Sequence, residues 1–159
     1  GPQPDGKVMK INWVNCMGCG RCVDVCPVKA IYHDSGDQAV RMLNYKMAEY
    51  AKAVVDGRPH FHISLVRDVS PYCDCHAEND LPIVPDVGMF ASFDPVALDL
   101  ACAEAVNAQT VNPGSKLDKA NRPDLDNLTG SFPHTSWRSQ IEHAKKIGLG
   151  EDCYELVTI

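Results

Sequence analysis

Apolar and polar positions change their period several times along the chain, and each change marks an element. Residues 8 to 13, Val-Met-Lys-Ile-Asn-Trp, alternate as a strand does. A short helical turn is predicted over 21–25, and Ala30-Ile31-Tyr32 is read as a returning strand before the turn-rich His33-Asp34-Ser35-Gly36-Asp37. From Val40 to Asp56 the period lengthens. Val40, Leu43, Met47, Tyr50, Ala51 and Val54 recur at three and four and form one helical face, which Gly57 and Pro59 close. Phe61, Ile63 and Leu65 then alternate with His60, His62 and Ser64, a half-buried strand whose polar side is expected to face water.

A further strand is expected within 85–90, followed by a helix over 96–107 with Asp94 as its N-cap and Pro95 as its first residue. Leu98, Cys102 and Ala105 share one face of that helix, which makes Cys102 a small buried hydrophobe. The stretch 109–133 is rich in Pro, Gly, Asn and Asp and shows no period, so it is read as a long surface loop. Trp137, Ile141, Ala144 and Ile147 mark a last helix that begins at Thr135 or Ser136 and stops at Gly148, and 153–159 is read as a terminal strand with Cys153 in the core or at an edge. The expected fold is mixed, α+β or α/β. A layered α/β domain over 37–159 carries a small ferredoxin-like cluster-binding module over 1–36.

Composition narrows the function. With 45% hydrophobic and 23% charged residues among 159, the chain has material for a packed core and is no disordered tail. Fifteen basic residues against 21 acidic ones, without a basic run, argue against binding a phosphate backbone, so no nucleic-acid partner is expected. No apolar run approaches the roughly 18 residues that span a bilayer, and the first six residues lack the basic start and apolar middle of a secretion signal. A cytoplasmic location is expected.

Cysteine is the exception, at eight residues. Cys16, Cys19, Cys22 and Cys26 fall within eleven positions and are followed at once by Pro27. Neighbours so close cannot all be stapled to distant parts of a fold, so the run reads as a metal site in a reducing compartment. Cys-x2-Cys-x2-Cys-x3-Cys-Pro is the spacing that holds a cubane 4Fe-4S cluster in bacterial ferredoxins. Two intervening residues let a tight loop aim successive thiolates at corners of one cube, and Gly18 and Gly20 let the backbone come close. Zinc sites instead favour two separated Cys-x2-Cys knuckles.

In two-cluster ferredoxins the fourth cysteine of such a run ligates the other cluster, and only one run is present here. Three sources of the fourth thiolate therefore stand open: Cys26 itself, the later pair Cys73 and Cys75, or a ligand outside this chain. His60 and His62 share a strand face that would suit a metal, although a polar outer face explains them equally. Asp86 has no evident structural role and is a candidate site residue. Trp13 and Tyr32 flank the cysteine loop and would shield it from water.

The ferredoxin run, the helix Lys46-Met47-Ala48-Glu49-Tyr50-Ala51, Cys73-Asp74-Cys75, Pro82-Ile83-Val84-Pro85-Asp86-Val87-Gly88 and Asp94-Pro95-Val96-Ala97-Leu98-Asp99 together resemble the ferredoxin-type iron-sulfur proteins grouped as domain of unknown function 362. The resemblance is close over 8–107 and reaches the end through Trp137 and Gly148-Leu149-Gly150. It implies a 4Fe-4S cofactor and the carboxy-terminal part of a longer protein, often with two ferredoxin motifs in tandem, where this chain has one. The first expectation is electron transfer to a redox partner protein. Its rivals are an oxidoreductase with a substrate site near Cys73, Cys75, His76 and Asp86, and a purely structural cluster.

Overall fold

The computed structural model describes residues 2–5, 8–11, 21–28, 30–31, 37–72 and 80–159. They divide into two compact units, Gly1–Asp34 and Ser35–Ile159.

In the first unit β1 (Pro2–Asp5) pairs antiparallel with β2 (Val8–Ile11), with Pro2 opposite Ile11 and Asp5 opposite Val8. The alternation that predicted a strand from residue 8 is therefore realised, but its partner lies upstream. Residues 30 and 31 are outside any strand, which corrects the expected return. The partner is hard to see in sequence because prolines at positions 2 and 4 cannot donate ladder bonds, and prolines are tolerated only at a sheet edge. The single-turn helix α1 (Arg21–Asp24) forms where a helical turn is expected.

The second unit is mixed α+β. It contains α2 (Asp37–Val55), an antiparallel pair of β3 (His62–Val66) and β4 (Gly88–Ser92), then α3 (Pro95–Asn107), α4 (Lys116–Ala120), α5 (Asn127–Ser131) and α6 (Trp137–Lys146). Helix α3 packs on one face of the β3–β4 pair and also against α6, which in turn lies along α2. Two apolar clusters result. Val66, Ile83, Val84, Val106 and Leu117 join the sheet to α3 and α4, with Phe90 and Cys102 packed against them. Ala48, Val96, Ile141 and Ala144 join α2, α3 and α6.

Asp94 starts α3 as the sequence predicts. Its Oδ1 accepts from Val96 N at 2.8 Å and Ala97 N at 3.0 Å, and Pro95 occupies the first turn, where no amide hydrogen is needed. Its Oδ2 accepts from Glu151 N at 2.8 Å, so one carboxylate caps α3 and holds the segment after α6. That segment begins at Gly148, whose φ of +72° suits glycine, and Leu149 N donates to Ala144 O at 2.9 Å to end the helix. Gly150 passes so close that a Cβ there would lie 2.1 Å from Asp94 Oδ1.

Four expectations are corrected in this unit. The stretch 109–133 is not a featureless loop: Ser115 caps α4 by accepting from Asp118 N, and Asp126 caps α5 by accepting from Thr129 N. Five-residue helices are too short to display a period, and only their caps announce them. Residues 153–159 form no strand, because no neighbouring strand supplies the ladder, and Cys153 is exposed. The apolar stripe of α2 faces outward, with Leu43 61% and Tyr50 74% exposed. The buried side is partly polar instead: Asn44 Nδ2 donates to Ser136 O at 2.6 Å and Ser139 Oγ at 2.8 Å, and Tyr45 stacks on His143 at 4.2 Å.

The fourth correction is the same inversion in the sheet. Ile63 and Leu65 are 60% and 66% exposed beside their cross-strand partners Ala91 and Met89, while His62, Ser64 and Val66 turn toward α3. Phe61 and Phe93 pair at 4.9 Å on the outer side. Alternation distinguishes two faces but does not say which one the rest of the chain covers.

Candidate functional site

The first candidate is the cysteine run. Cys16 and Cys19 lie outside the described residues, as do Trp13 and Tyr32. Cys22 sits in α1, and Cys26 follows two residues after that helix ends. Both are half-buried. Cys26 N donates to Val23 O at 3.3 Å, which closes the turn after α1, and the Cys26 Sγ accepts a backbone hydrogen bond from Ala30 N at 3.2 Å. An amide hydrogen aimed at sulfur favours the thiolate and spreads its charge, as a metal-bound cysteine requires. The chemistry of this donor set suits iron-sulfur ligation: soft thiolates closely spaced in sequence, with amide support for the Cys26 sulfur.

Cys73, Cys75 and His76 also lie outside the described residues. The chain leading to them is anchored by Tyr72, whose hydroxyl accepts from Lys116 Nζ at 2.9 Å. The same ammonium lies 4.1 Å from the Tyr72 ring centre and 3.8 Å from that of Phe132, a cation held between two aromatic faces. Lys116 opens α4, so a helix absent from the sequence expectation positions the approach to Cys73. Asp86 has a structural task after all. Its Oδ1 accepts from Asp68 N at 2.8 Å, supporting a residue held in the left-handed region at φ +49°.

The second candidate lies at the start of β3. His60 Nδ1 and His62 Nε2 approach to 2.9 Å, with ring centres 5.0 Å apart and planes inclined by 56°. Both imidazoles are half-buried, which corrects the expected solvent-facing polar side. Asp99 of α3 stands in the field of His62. Crowding by neighbouring atoms raises the pKa of its carboxyl, and His62 opposes the shift, although part of the side chain still meets solvent. Cys102, one turn further along α3, has its thiol pKa raised by burial, and the Ser64 hydroxyl opposes this by hydrogen bonding to it. The thiol stays protonated at neutral pH, as a small core residue should. His60 also lines a cavity of about 220 Å³ with Lys52, Asp56, Arg58 and Gly148.

Asp99 was missing from the sequence-based candidates. One signal could have found it: α3 carries only two charged residues, Asp99 and Glu104, in an otherwise apolar helix.

A sequence model of the family described as Domain of unknown function (DUF362) matches residues 12–104, more than half of the chain, and the chain belongs to that family. Comparison with curated proteins and with solved structures gave no match. The matched region begins before the cysteine run and ends within α3, so it contains the cysteine run, the histidine pair and Asp99. Among the described residues no helix is long and apolar enough to cross a membrane.

Proposed function

We propose that this chain binds a 4Fe-4S cluster through Cys16, Cys19, Cys22 and Cys26 and exchanges electrons with a redox partner protein. The observation that carries this reading is the spacing Cys-x2-Cys-x2-Cys-x3-Cys-Pro, two equal steps, a longer third and a proline stop that zinc knuckles do not use. When bound, such a cluster takes up and returns one electron. The chain's own contribution is to present four thiolates within eleven positions and to direct backbone amides at them. The Ala30 amide on Cys26 Sγ is one of these, and it stabilises the added negative charge of a reduced centre. The net charge of −6 favours docking of a basic partner at low ionic strength.

In this reading residues 1–36 are a ferredoxin-like module and 37–159 a layered α/β domain, in a protein working in a reducing, cytoplasmic compartment. The fourth ligand is Cys26, with the later pair Cys73 and Cys75 or a ligand outside this chain as its rivals. Replacing Cys19 by Ser tests the reading in anaerobically purified protein. The expected result is loss of the broad visible absorption and of the electron spin resonance of the reduced form, and unchanged spectra would overturn it. Replacing Cys73 and Cys75 together by Ser, with iron measured per chain, assigns the fourth position.

A further inference from the structure

We propose that His60 and His62, assisted by Asp99, form an open site for a first-row divalent transition metal of the nickel or copper type. The site is separate from the cysteine run and does not depend on how that run is used. It rests on the close approach of the two ring nitrogens, 2.9 Å between His60 Nδ1 and His62 Nε2.

Without metal, that separation is a hydrogen bond in which one imidazole donates to the other. It is also the separation that two nitrogens need when they bind one ion side by side. Metal–nitrogen bonds of about 2.05 Å at right angles place the donors about 2.9 Å apart, whereas a tetrahedral ion spreads them to about 3.3 Å. His60 stands two residues before His62, the first residue of β3, and α3 packs against that strand, so both side chains are half-buried and the directions the rings can take are limited. The nitrogens are therefore partly organised before an ion arrives, which lowers the ordering cost of binding.

The surroundings select the class of ion. Asp99 places a carboxylate in the field of His62, and its negative charge favours a cation there. The Cys102 sulfur near this face is protonated and engaged by Ser64, so the donors among the described residues are nitrogen and oxygen rather than thiolate. Among the described residues no three of His, Cys, Asp and Glu already converge on one point. Two imidazoles therefore supply the affinity, Asp99 assists through its charge or through a shared water, and water fills the remaining positions. His60 lines the adjacent cavity, which gives those waters a path for exchange.

The test uses the complete chain with no histidine tag, purified with its cysteines protected from oxidation and titrated with nickel chloride in solution NMR. The expected result is that substoichiometric nickel broadens the amide signals of residues 60–64, 91–92 and 99 before those of the cysteine run. His60→Gln, which lies before β3 and preserves size, should weaken binding at least tenfold, as should His62→Gln. Asp99→Asn should weaken it by about threefold. Far-ultraviolet circular dichroism confirms that each variant is folded. Broadening centred on the cysteine run, or an unchanged midpoint in His60→Gln, would overturn the site.

Discussion

The double role of Asp94 invites removal of its carboxylate. In Asp94→Ala, helix α3 loses its N-cap, worth about 1 kcal/mol for a change of this kind. The segment after α6 also loses the charged acceptor of Glu151 N, which at a partly exposed position is worth about 1 kcal/mol more. The expected cost is therefore about 2 kcal/mol, or a melting temperature lowered by about 7 °C for a unit of this size. Asp94→Asn keeps one oxygen for Val96 N and Ala97 N but turns an amide toward Glu151 N, so it should lose about half as much. Gly150→Ala reaches the same contact from the other side, because its Cβ would lie 2.1 Å from Asp94 Oδ1 and force the cap to shift. Once Asp94 is alanine that obstacle is gone, so the double variant should be more stable than the sum of the single losses predicts, by about 1 kcal/mol. Urea unfolding followed at 222 nm measures all four proteins. A loss below about 0.5 kcal/mol for Asp94→Ala, together with strict additivity in the double variant, would refute the reasoning.

Three further outcomes are expected. Burial raises the Asp126 pKa, but hydrogen bonds from Thr129 and from the Trp137 indole, with the charge of Arg138, outweigh it and hold the carboxyl below its usual range. A depressed folded pKa contributes stability above the unfolded value of about 3.9, lost as pH falls through the folded value, so wild type and Asp126→Asn should converge in stability between about pH 5 and pH 2. Chemical denaturation across that range shows it, and a gap that widens toward acid would contradict it. The outer face of β3 and β4 should bind an apolar dye such as anilinonaphthalene sulfonate, and Ile63→Lys with Leu65→Lys should reduce the fluorescence while changing stability by less than about 0.5 kcal/mol, because both side chains are already exposed. Equal fluorescence before and after would remove that face as the binding surface. Ser115→Ala should cost about 1 kcal/mol in urea unfolding by uncapping α4, and a neutral result would deny that cap any weight.

How much of this was visible in the chain depended on the kind of signal. Helices α2, α3 and α6 were legible because period, cap and stop agreed in each, as with Asp94 and Pro95 before α3 and Gly148 after α6. The direction each face takes was not legible. The alternation of Ile63 and Leu65 with His62 and Ser64 is symmetric until α3 covers one side, and Asn44 and Tyr45 outcompete Leu43 and Tyr50 for the contact with α6 only because that interface is partly polar. Ser115 three residues before Asp118 and Asp126 three before Thr129 were available as cap signals, but a search for periodicity passes over helices of five residues. At the candidate sites, the cysteine spacing is a local property and can be read directly. The pairing of His60 with His62 is likewise foreshadowed by their spacing of two, whereas the interaction of Asp99 with His62 is a tertiary fact that no spacing rule contains.

The cysteine run bears the central claim, and elemental analysis tests it most directly. Protein purified without oxygen and assayed for iron, zinc and acid-labile sulfide should contain about four iron and about four sulfide per chain. One zinc per chain with no sulfide would contradict the account.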